Sequence, residues 1–148
     1  MAKILAWLLV QSRIQSRVAL LNNTEEEAAC PICSAPGDTA THIIFGCPFV
    51  IRSWGEIGGH FSLDNNVRYI HVYVAPIAIS GATSSTFIIL CCLNLSKHHN
   101  GVTFRGARPC LPRLLAMSRE DVVLWRTQVP LRSHVETETW ESCFCGRN

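Results

Sequence analysis

Carboxylates are scarce in this sequence, and so are long apolar runs. Only three of its 148 residues are aspartates, Asp38, Asp64 and Asp121, and they are widely scattered. A polymerase or nuclease working through two metal ions needs several carboxylates converging on one site. That chemistry is not readable here, and a Tyr/Phe-x-Asp-Asp polymerase motif is missing as well. No Ser, His and Asp or Cys and His arrangement stands in a strand–turn–helix setting that would mark a hydrolase. The sequence therefore reads as non-enzymatic, with no small-molecule substrate expected. The most apolar stretch, residues 86–95, is about half of the ~20 residues a membrane-spanning helix needs. No membrane partner is expected either. Charge is also thin, at 16% of residues and a net of +2, which by itself argues for no partner.

Cysteine is not scarce: there are eight, in a chain whose hydrophobic fraction of 48% suffices for a buried core. Eight cysteines mean either a disulfide framework or metal ligands and free thiols, and the compartment decides between them. Met1, Ala2 and Lys3 with the apolar residues 4–10 imitate the start of a signal peptide. No small-residue cleavage site follows, and an amphipathic helix explains the same residues better. The expectation is an intracellular, even nuclear, protein with reduced thiols, set against a secreted disulfide protein as the less favoured reading.

Along the chain, Leu5, Leu8, Leu9, Ile14, Val18 and Leu21 recur at helical spacing and predict a helix over residues 2–21. Glu25, Glu26 and Glu27 form a solvated acidic connector. Residues 30–47 begin with the composition of a tight turn. Pro48 suits the first turn of a second helix, in which Val50, Trp54 and Ile57 share a face, and Gly58 and Gly59 stop it. Residues 67–74 alternate partly, as a strand does, but Pro76 and residues 80–85 break the pattern into loop. Two more helices are predicted over 85–98 and 111–129, and the tail 130–148 is expected to pack poorly. The fold class is thus mainly α: a small helical module over residues 1–60, built as helix, Cys/His turn and helix, then a loosely packed helical extension over 61–148.

The chemistry lies in Cys30-Pro-Ile-Cys33, His42 and Cys47, spaced C-x2-C-x8-H-x4-C. Three thiolates and an imidazole are the donors that suit tetrahedral zinc, and a two-residue gap lets both sulfurs of one turn reach the same ion. The competing interpretation makes these residues small buried hydrophobes and an ordinary histidine. Four donors within 18 residues, set among Pro and Gly, argue against it. A stretch of ~60 residues buries too little surface to be comfortably stable, and a structural metal supplies the missing free energy. All four positions are filled by protein, so one Zn2+ here is structural, not catalytic. The geometry between the last two ligands stays open: on a straight helix, residues five apart are splayed by about 140°. Either the backbone bends at Gly46, or His42 belongs to a separate short element.

These residues also carry a resemblance. Ala6-Trp7-Leu8-Leu9 and Arg13-Ile14-Gln15-Ser16-Arg17, then Cys30-Pro31-Ile32-Cys33, Asp38-Thr39-Ala40-Thr41, His42-Ile43-Ile44-Phe45, Cys47-Pro48-Phe49 and Trp54, follow in the order found in one family. The region from about 3 to 57 resembles the zinc-binding domain that follows the reverse transcriptase of plant non-LTR (LINE-type) retrotransposons. The resemblance implies that Cys30, Cys33, His42 and Cys47 ligate zinc, and that the ancestral role was to help a polymerase hold RNA or DNA. Residues 91–106 and the runs Arg119-Glu120-Asp121 and Leu124-Trp125-Arg126 look like the segment downstream in such elements. There, tryptophans tend to stand near Leu93 and Ser96 and an arginine at His99, so this chain looks like a decayed fragment.

A basic stretch without acidic residues contains Lys97, Arg105, Arg108, Arg113 and Arg119. Such residues can neutralise phosphates, but the charges are spread out with few aromatics between them, and a solvated surface is the favoured reading. Arg13 and Arg17, one helical turn apart, are a second candidate nucleic-acid patch. Cys91-Cys92 and Cys143-Phe-Cys145 lack partners at ligand spacing and are assigned as incidental thiols, and His98 and His99 as exposed helix-end residues. The alternative function is a zinc-stapled protein-interaction module that docks through its apolar first helix.

Overall fold

The computed structural model describes residues 28–58, 84–127 and 134–145. The helix expected over 2–21, the partly alternating stretch 67–74, and Arg13 and Arg17 lie outside the described residues. Within them the chain is helical, with no strand beyond a single antiparallel bridge between Ala29 and Pro36. A π-helical turn, His42–Gly46, leads into α1 (Pro48–Ile57), followed by α2 (Ser84–Arg105), α3 (Leu111–Arg126) and α4 (His134–Cys143).

Helix α1 forms as its sequence predicts. Pro48 occupies its first turn, Val50, Trp54 and Ile57 are buried, and Gly58 closes it at φ 90°, a left-handed conformation that glycine adopts without a Cβ clash. Helix α2 is central among the described elements. Phe87, Ile88, Leu90, Cys91, Cys92 and Leu95 are all buried, so apolar contacts surround it instead of forming one stripe. It runs seven residues past the end expected from sequence. The low helix propensity of His98, His99, Asn100 and Gly101 is overridden by packing. Phe49 of α1 stacks on His98, with ring centroids 4.9 Å apart, and the Thr103 hydroxyl donates to the His99 carbonyl at 2.9 Å. The His98 ring accepts the Cys110 backbone N–H at 3.2 Å, where α3 begins, and burial holds its pKa below the ordinary value. His98 and His99, expected to be exposed, are 8% and 3% accessible.

The tail expected to pack poorly instead contributes α4. Phe87 meets Trp140 edge to face at 5.7 Å and stacks with Phe144 at 5.5 Å, so two aromatic residues anchor this short helix against α2. The buried apolar residues of the π turn, α1, α2, α3 and α4 form one cluster, a closer packing than the loose extension expected from sequence.

Charge also ties α3 to α4. Arg126 and Arg119 reach the Glu141 carboxylate at 2.7 and 3.1 Å, and Arg126 also donates to the Thr137 hydroxyl at 3.0 Å. The two guanidinium groups hold the Glu141 pKa below its ordinary 4.5. The folded state therefore gains from the ionised form above about pH 4.5 and loses that gain as pH falls through the lower folded value. Glu141→Gln should lower the melting temperature by a few degrees at pH 7, in line with a surface pair network of modest strength. Melting curves of both proteins should converge as pH drops below 4.5; a constant difference would show that charge is not the cause.

Candidate metal centre

The first two donors come from a tight knuckle. The Cys30 N–H donates to the Ala35 carbonyl and the Ser34 N–H returns to the Cys30 carbonyl, both at 2.9 Å, while Gly37 and Asp38 N–H groups converge on the Ala28 carbonyl. Ser34 takes a left-handed conformation, φ 63°, to turn the chain just after Cys33. The result aims both sulfurs to one side, as the two-residue gap suggests.

The third and fourth donors come from the helical segment that follows. Thr39 starts it, its hydroxyl accepting the His42 N–H at 3.2 Å. The winding then loosens to π, and the Cys47 N–H bonds the His42 carbonyl at 2.9 Å, an i→i+5 closure. This answers the geometric problem posed by the sequence. The 140° splay holds for an α-helix, whereas a π turn hydrogen-bonds residues five apart and brings His42 and Cys47 into register. Cys47 then leaves the helix in an extended conformation, ψ 133°, and becomes the N-cap of α1. Gly46 matters for space more than for bending: a Cβ there would lie 3.2 Å from His42 Nδ1. Two further contacts hold the turn. The Trp54 indole N–H donates to the Ile44 carbonyl at 2.8 Å, and the Trp54 ring stacks with Phe45.

The four expected ligand atoms, from Cys30, Cys33, His42 and Cys47, all lie within 4.8 Å of one another. Zinc bonds of about 2.3 Å to sulfur and 2.0 Å to nitrogen set tetrahedron edges at roughly 3.5–3.8 Å. One pair, Cys33 Sγ and His42 Nε2, stands 3.3 Å apart. The donor chemistry and the convergence both fit zinc. The Cys30 thiol acts on both later donors, raising the His42 pKa by its hydrogen bond. A hydrogen bond from Cys30 lowers the Cys47 pKa against the opposing effect of burial, helped by the backbone N–H groups of Phe49 and Val50 at the start of α1. By contrast, burial pushes the Cys91 and Cys92 thiols well up, which makes them inert packing groups, as expected of them.

A second group, Cys30, Asp38 and His99, also has its ligand atoms within 4.8 Å of one another, and all three residues are buried. His99 Nε2 is 2.9 Å from Asp38 Oδ1. Burial alone would depress the His99 pKa, but hydrogen bonds and charge from Asp38 and Cys30 raise it to about 9. Sequence reasoning missed this contact, because its two ends are 61 residues apart.

The candidate nucleic-acid residues are not gathered in the same way. Lys97 is paired with Asp121 at 3.4 Å, and Arg119 with Glu141. Arg105, Arg108 and Arg113 are exposed at the end of α2, in the following loop and at the start of α3. They make no salt bridge with any described residue.

A Cys3His set closed entirely by protein side chains defines a structural zinc site. Residues 1–54 match the family model described as zinc-binding in reverse transcriptase, and this match contains all four ligand positions. No curated protein and no solved structure matches the chain. The match and the cluster together support one structural zinc in a zinc-binding domain of reverse-transcriptase type, a family defined by metal binding and not by polymerase chemistry.

Proposed function

We propose that this chain is a non-catalytic accessory module, derived from the polyprotein of a LINE-type retrotransposon, that assists nucleic-acid binding. The observation that carries the reading is the match over residues 1–54 on the segment that converges four zinc donors. Zinc fixes the knuckle and the π turn, α2 packs on them, and the end of α2, the loop after it and the start of α3 carry the basic residues. Arg105, Arg108 and Arg113 are the residues assigned to phosphate contact, since Lys97 already faces a carboxylate. Such a protein would work inside the cell, where thiols stay reduced and nucleic acid is present.

Fluorescence anisotropy with labelled single- and double-stranded oligonucleotides, across a salt series, tests this. Three phosphate contacts predict a log–log salt slope of roughly −2 on single strands and −2.7 on duplex. Replacing Arg105, Arg108 and Arg113 together by glutamine should flatten that slope and weaken binding at least tenfold at low salt. No binding at any salt concentration would overturn the nucleic-acid reading and favour the interaction module instead.

A further inference from the structure

Asp38 is fully buried, which is costly for a carboxylate unless it is paired. Its partner His99 comes from the last third of α2, far outside the residues that match the zinc-binding family. The same histidine also interacts with Cys30, the most buried sulfur of the metal centre apart from Cys47, and all three groups sit within 4.8 Å. Thr103 completes the surroundings, its hydroxyl 3.4 Å from His99 Nδ1. Three thiolates around a dication leave the centre with a net charge of about −1, and a second buried anion stands beside it. A hydrogen-bond donor between the two is what such an arrangement requires.

We propose that His99, oriented by Asp38, is a positioning residue for the zinc centre whose Nε2–H is shared between the Asp38 carboxylate and the Cys30 thiolate, and so fastens α2 to the metal. The proposal rests on the zinc assignment above. His99 is not itself a ligand, because Cys30 is already one of four donors that close a tetrahedron. The unit that binds zinc is then larger than the knuckle and the π turn, and it includes a helix beyond the family match.

Zinc affinity of the full chain, read by competition with a chromophoric chelator, and the visible spectrum of the Co2+-substituted protein together test this. Asp38→Asn and His99→Leu should weaken zinc about 10- to 100-fold, the range for hydrogen-bond partners of metal ligands. Their thiolate-to-Co2+ bands should keep the energies of the unaltered protein, since the four ligands are unchanged. His99→Gln, which retains an N–H donor, should recover most of the affinity. If His99→Leu does not fold, Asp38→Asn, which conserves volume, decides the matter. Unchanged zinc affinity with a lower melting temperature would reduce the pair to ordinary packing and overturn the proposal. Shifted Co2+ bands in His99→Leu, or two zinc ions per chain, would make His99 a ligand and overturn it equally. Absence of zinc from the unaltered protein would instead sink the zinc assignment itself.

Discussion

Cys33→Ser is expected to abolish tight zinc binding and to unfold the region around the metal. The unaltered chain should carry close to one zinc per molecule by metal analysis, and the variant close to none. Structural zinc supplies free energy on the order of 10 kcal/mol or more in small modules, comparable to the whole stability of a domain. Besides the metal, the knuckle and the π turn are held by backbone hydrogen bonds, the Thr39 cap, the Trp54 contact and the Asp38–His99 bond. The damage should not stop there. Ile43, Ile44, Trp54 and Ile57 share a core with Phe87, Leu90 and Leu95 of α2. Loss of the turn therefore exposes one side of the central helix. Far-ultraviolet circular dichroism should show a greater loss of helix than the π turn and α1 account for, and chelating the unaltered protein should reproduce it. A spectrum unaffected by chelation would end the structural role of the metal.

The ligand set was legible in the sequence because its donors lie close together in the chain, and spacing alone limits which side chains reach one ion. The path between them was not. A reading of His42 and Cys47 on an ideal helix produces a conflict, and what resolves it is a local change of winding, closed by the Cys47 N–H on the His42 carbonyl. The turn is accompanied by Trp54 reaching back to Ile44 and by close space beside Gly46, neither of which periodicity encodes. Longer-range features were harder still. His98 and His99 look like the fraying end of a helix, and only the ring of Phe49 and the carboxylate of Asp38 make them interior residues. Helix α4 has too few apolar residues to show a stripe, and its position follows from Trp140 and Phe144 meeting Phe87. In each case a tertiary contact decides a question that local pattern leaves open.

Trp54 should prove the most sensitive residue outside the ligands. It is 3% accessible, stacks with Phe45, and satisfies the Ile44 carbonyl within the π turn. Trp54→Ala removes a large buried ring and should cost about 3–5 kcal/mol. Trp54→Phe keeps most of the apolar contact but leaves the buried Ile44 carbonyl without its donor, for about 1–3 kcal/mol. Both are measured by denaturant unfolding at one fixed excess of zinc, because zinc binding adds to apparent stability. The two substitutions also separate two roles of the ring. If the indole hydrogen bond sets the winding of the turn, Trp54→Phe should weaken zinc binding severalfold as well as lower stability, because His42 and Cys47 would lose their register. If Trp54 acts only by filling space, Trp54→Phe would bind zinc like the unaltered protein and Trp54→Ala alone would fail. The hydrogen bond is the favoured cause, since it joins α1 to the middle of the segment that must hold five residues in one turn.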